Sequence, residues 1–155
     1  MAIRALIKGG RPVKHVVVID GQGGGLGRAI IERIRKEAFT TDYELIAVGT
    51  NALATAQMLK AGADGGATGE SAVIWNCDRA DIIIGGIGII AAGSMLGELS
   101  PAMATAIGSS RASKILIPIN KCRLQVAGAP EDNLPLRLDQ AIELIRRALT
   151  GETQT

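Results

Sequence analysis

Three features of the chain predict an α/β domain in three layers, a mostly parallel sheet with helices on both faces. Short β-branched runs alternate with stretches of helical period: HVVVID at 15–20, ELIAV at 44–48, ADIII at 80–84 and KILIPI at 114–119. Such alternation is the pattern of βαβ units. The 155 residues include 20 glycines but only one Phe, one Tyr and one Trp. A core so poor in rings is built from Ile, Leu, Val and Ala, which suits strands sealed from water on both sides. Hydrophobic residues make up 47% and charged residues 21%, as in ordinary globular proteins. The length is that of one domain able to bury its own core.

Along the chain, residues 1–13 read as a flexible extension, closed by the breaker cluster Gly9-Gly10-Arg11-Pro12. A single domain over 14–150 and a polar tail at 151–155 follow. The first strand, His15–Asp20, runs into the loop Gly21–Gly27 and then a helix from about Leu26 to Glu37. Leu26, Ala29, Ile30 and Ile34 share one face of that helix. The second strand, Glu44–Val48, ends at Gly49-Thr50-Asn51, where Thr50 or Asn51 is placed to cap a helix reaching Lys60. Gly62 stops that helix. Residues 63–69 read as a loop or a very short strand, and 70–79 as a helix, although Val73-Ile74-Trp75 also suits a strand. Ala80–Ile84 is the next strand, followed by Gly85-Gly86-Ile87-Gly88. Ser100-Pro101 starts a helix ending near Gly108. Lys114–Ile119 is a further strand, with Arg123–Ala127 expected beside it. The last helix, about Leu136–Leu149, carries an apolar stripe of Leu138, Ala141, Ile142, Ile145 and Leu149. About five strands in the order 3-2-1-4-5 are expected.

Composition narrows the function classes. A net charge of +2, no basic block and few aromatics speak against nucleic acid. Cys77, Cys122 and the single His15 lack metal-ligand spacing, so no metal site is expected. The uncharged run from Ile82 to Gly97 is glycine-interrupted and falls short of the roughly 20 apolar residues of a membrane span. No secretion signal is visible, and a reduced, cytoplasmic setting is the expectation.

The segment VVVIDGQGGGLGRAIIERI, residues 16–34, carries most of the chemistry. A buried strand, a glycine loop and a helix start direct several backbone N–H groups at one spot, which favours a phosphate. The spacing does not match G-x-G-x-x-G from Gly21, because Leu26 holds the sixth position. It matches G-x-x-x-G-x-G through Gly21, Gly25 and Gly27. Over residues 15–50 the chain thereby resembles the N-terminal Rossmann unit of short-chain dehydrogenases. That resemblance implies NAD or NADP, with the phosphates on Gly21, Gln22, Gly23, Gly24, Gly25 and Gly27. Its catalysis does not carry over: Tyr43 is the only tyrosine, so no Tyr-x-x-x-Lys pair exists. Asp20 also departs from the pattern, and beside an anion site it needs a ribose, a metal or a backbone N–H. The blocks IDGQGGG, VGTNALAT, GATGE, SMLGELSP and ILIPIN further resemble a family of small bacterial proteins with a domain of unknown function. That second resemblance covers most of 15–150 and implies no activity.

Where NAD-binding domains carry an acid at the end of strand two, this chain has Gly49-Thr50-Asn51. Neutral groups there leave room for a 2′-phosphate, so NADP or a mononucleotide stands beside NAD, and plain helix capping accounts for the same residues. The other strand ends add Gly85, Gly86, Gly88, Asn120 and Lys121. Ligands of open parallel sheets lie beyond such ends; tight βα turns are the structural alternative. The partner expected is thus a small nucleotide or phosphorylated ligand. Should the chain catalyse a reaction, Glu98, Asp20, Lys121 and Cys122 are the candidates, with Ser94 and Asn120 in support. An enzyme acting on a phosphorylated metabolite and a non-catalytic nucleotide-sensing subunit are both open. The apolar segment 85–99 reads equally as a lid or, over 88–99, as a homodimer contact.

Overall fold

The structure is a computed structural model that describes residues 7–8, 10–119, 123–129 and 133–152. In chain order the elements are β1 (Ile7–Lys8), β2 (Arg11–Pro12), β3 (Lys14–Asp20), α1 (Gly25–Arg35), β4 (Tyr43–Gly49), α2 (Ala52–Lys60), β5 (Gly65–Thr68), α3 (Glu70–Arg79), β6 (Ile82–Gly86), α4 (Pro101–Ser109), β7 (Ser113–Ile117) and α5 (Leu134–Thr150). The first two strands form a small antiparallel ladder. The other five form one all-parallel sheet in the order β5-β4-β3-β6-β7. Numbered within the sheet, this is the expected 3-2-1-4-5.

The β-branched runs become strands because each must bury both faces. Val16 and Val18 point to one side, where they meet Ile30, Ile31 and Ile34 of α1, Met58 of α2, and Ala141, Ile142 and Ile145 of α5. Val17 and Ile19 point to the other, against Val73 and Cys77 of α3, Met103 and Ile107 of α4, and Leu99. Alternation along one strand thus feeds two separate cores. Residues 16–19 and 82–84 are all buried, as continuous apolar runs require.

Several boundaries follow from local chemistry. Asn51 caps α2 through the Ala54 N–H at 2.9 Å, Ser100 caps α4 through Met103, and Asn133 caps α5 through Leu136. Residues 70–79 are helical, which resolves the strand alternative. The short-strand reading of 63–69 also holds: β5 pairs with Ile46–Gly49 of β4. The strand expected at Arg123–Ala127 does not form; a bend, irregular chain and a turn at 127–128 take its place. Gly128 there has φ 81°, a turn conformation that ends any extended run. No helix among the described residues is long and apolar enough to cross a membrane.

Candidate functional site

The strand order reverses between β3 and β6, the point of an open parallel sheet beyond whose carboxyl ends ligands bind. The loop after β3 forms one wall. Its tight turn is closed by the Gly24 N–H donating to the Gly21 carbonyl at 2.9 Å. Gly24 then starts α1 with φ 74°, and a Cβ there would lie 2.8 Å from the Ala54 backbone. Gly27 lets α1 close onto its neighbours: a Cβ would meet Met58 Sδ at 2.5 Å and Asp20 Cβ at 2.8 Å. At Gly23 and Gly25, by contrast, a Cβ would meet nothing within 4 Å.

The loop's N–H groups divide into two sets. Asp20 takes the first: Oδ1 accepts from the Gly21 N–H at 2.8 Å and Oδ2 from the Gly27 N–H at 2.6 Å. The carboxylate that the sequence left in need of a partner is therefore a brace across the loop. Glu98 takes the Gln22 N–H at 2.7 Å. The N–H groups of Gly23, Gly25 and Leu26 have no acceptor among the described residues. Those of Gly25 and Leu26 lie in the first turn of α1 and that of Gly23 just before its cap, Gly24, where a helix favours an anion.

The second wall is the end of β4 with Glu98 laid against it. Glu98 Oε2 accepts from Thr50 Oγ1 at 2.6 Å and Asn51 Nδ2 at 3.1 Å, besides the Gln22 N–H. Among the described residues its other oxygen, Oε1, has only Asn51 Nδ2 at 3.3 Å. The N–H of Gln22, the Thr50 hydroxyl and the Asn51 amide hold the Glu98 carboxyl below the ordinary glutamate range, against an opposing push from burial. Asn51 also ties Gln22 down, donating to its carbonyl at 2.9 Å.

Glu98 arrives on the segment between β6 and α4. A 3-10 turn at Ile87–Ile90 leads into successive turns. The Ser94 hydroxyl donates to the Gly88 carbonyl, and the Leu99 N–H to the Ser94 carbonyl. Met95 and Leu96 both have φ 56°, and Gly93 and Gly97 also lie in the left-handed region. Leu99 and Ile89 anchor the segment in the core while Leu96 is 98% exposed. Met95 packs partly against the second core, so the two side chains are not exposed together.

The structure thus brings Asp20, Gly21–Gly27, Thr50, Asn51 and Glu98 to one place. Gly85 and Gly86 are closely packed. A Cβ on Gly85 would lie 2.5 Å from the Ile19 carbonyl oxygen, and one on Gly86 2.9 Å from Ile119. Asn120, Lys121 and Cys122 lie outside the described residues. Cys77 is a core residue whose thiol burial pushes up to about 11. The sequence reading missed the bond from Glu98 to the end of β4; the absence of an acid at 49–51 was the one available signal.

No curated protein matches the chain. Among solved structures it is similar to a dodecameric FMN-dependent Ubix-like decarboxylase from Escherichia coli O157:H7. That likeness has 18% identity and a TM-score of 0.43, and covers 86% of this chain and 76% of that one. The model for the domain of unknown function DUF3842 matches residues 15–150, nearly the whole parallel-sheet domain, and the chain belongs to that family.

Proposed function

We propose that the protein binds a nucleotide or dinucleotide, NAD or NADP foremost, on the outer face of the Gly21–Gly27 loop, beside Glu98. The observation that carries this reading is the set of unclaimed N–H groups on Gly23, Gly25 and Leu26, at the N-terminus of α1 and beyond the sheet's carboxyl edge. Open space over Gly23 and Gly25 gives a phosphate access to them. Asp20 and Glu98 already hold the N–H groups of Gly21, Gly27 and Gln22, so phosphate contact falls on the outer part of the loop. The ribose side of the ligand then faces Thr50, Asn51 and Glu98. The segment 91–99 serves as the cover of the site.

A thermal-shift panel of NAD, NADP, ATP, GTP and sugar phosphates tests this, run beside Gly25→Val. A Cβ at Gly25 meets no protein atom within 4 Å, so the variant should fold, while the branched side chain crowds the free N–H groups. A ligand at about one hundred times its dissociation constant adds about 2.7 kcal/mol. In a domain of this size that raises the midpoint by roughly 5–10 °C. The shift should vanish in Gly25→Val. An equal shift in the variant would place the ligand elsewhere, and no shift in the wild type would reduce the loop to a structural turn.

A further inference from the structure

We infer that Glu98 reads the ribose of the bound nucleotide, accepting a nucleotide with free 2′- and 3′-hydroxyls and rejecting one with a 2′-phosphate. The inference rests on the nucleotide reading above and decides between the two cofactors that it leaves open. Dinucleotide-binding domains hold the ribose with an acid at the end of the second sheet strand. Here that strand end is Gly49-Thr50-Asn51, all neutral. The missing carboxylate is supplied from 48 residues further along the chain, where Glu98 meets Thr50.

The geometry is that of a presented acceptor. Oε2 is saturated by the Gln22 N–H, the Thr50 hydroxyl and the Asn51 amide. These bonds fix the carboxylate plane and leave Oε1, with its single long contact at 3.3 Å, to accept from a ligand. A ribose diol offers the two donors that such an oxygen lacks; a phosphate monoester offers none when ionised. No cation is paired with Glu98 among the described residues, and Arg28, on the nearby helix, is engaged with Glu32. Among the described residues nothing offsets the repulsion of a second anion brought against Glu98. Removing the charge removes that repulsion, so one residue sets the preference.

Calorimetric titration of the wild type and Glu98→Gln with NAD and NADP tests the assignment. The glutamine keeps one acceptor oxygen for the Gln22, Thr50 and Asn51 donors, so the variant should fold. The wild type should bind NAD at least about 30-fold more tightly than NADP, the ratio set by repulsion at one charged contact. In Glu98→Gln that ratio should fall to within about threefold, chiefly because NADP binds better. Competition between adenosine 5′-phosphate and adenosine 2′,5′-bisphosphate on the wild type provides the same comparison without any variant. Equal wild-type affinities, or a loss in Glu98→Gln that is the same for both nucleotides, would overturn the inference while leaving the nucleotide site standing. Binding of neither nucleotide would overturn both.

Discussion

Replacing Asp20 by alanine should cost the fold about 3–4 kcal/mol, a large effect for a residue at the rim of a sheet. The side chain accepts from the N–H of Gly21 at 2.8 Å and of Gly27 at 2.6 Å. Both glycines are buried, so water does not readily replace the lost acceptor. A hydrogen bond to a charged group contributes about 1.5–3 kcal/mol, and the part-buried setting argues for the lower end of that range at each site. The negative charge beside the N-terminus of α1 adds about 0.5 kcal/mol. For a chain of 155 residues the sum lowers the melting midpoint by about 7–14 °C. Asp20→Asn keeps one acceptor oxygen, and should lose roughly half as much. Urea melts followed by far-ultraviolet circular dichroism would measure both, with an unchanged slope showing that only the stability moved. A loss below about 1 kcal/mol in Asp20→Ala would refute the brace, because two buried donors cannot be stranded so cheaply.

Two other groups give distinct readouts. Glu98 has a folded-state pKa below its unfolded value of about 4.3, so its contribution to stability is complete above that value and disappears as the pH falls through the folded one. The stability difference between wild type and Glu98→Gln should therefore be flat from about pH 7 to about pH 5 and shrink below about pH 4; a difference unchanged at low pH would contradict it. Burial raises the Cys77 thiol from 9.0 to about 11. At pH 8 the native chain should therefore alkylate at Cys77 at least about 100-fold more slowly than the unfolded chain, read by peptide mass. A native rate within about tenfold of the unfolded one would show that Cys77 is not sealed.

Much of the scaffold was legible in the sequence because burial on both faces leaves a direct trace. HVVVID can only be a strand covered on each side, and the stripes of α1 and α5 declare the faces that cover it. Caps at Asn51 and Ser100 are short-range chemistry and appeared where side-chain type placed them. β5 was harder, since Gly65-Gly66-Ala67-Thr68 carries no apolar period and is a strand only because β4 offers it an edge. The reverse error occurred at Arg123–Ala127, where strand-like residues do not pair. The site was legible by halves. The glycine loop and the 49–51 turn are local signals, whereas the bond from Glu98 to Gln22 spans 76 residues and arises from irregular chain. Asp20 was visible as an anomaly, and its partners proved to be the loop itself.

The brace that Asp20 forms across the loop bears on the kinetics of capture. The turn from Gly21 to Gly27 holds its shape through internal hydrogen bonds before any ligand arrives. Ligand entry then involves little ordering of the backbone, and a pre-shaped receptor loses less entropy on association. Encounter should proceed at the rate of a rigid pocket, so differences in affinity among nucleotides would be expressed in how long each one stays.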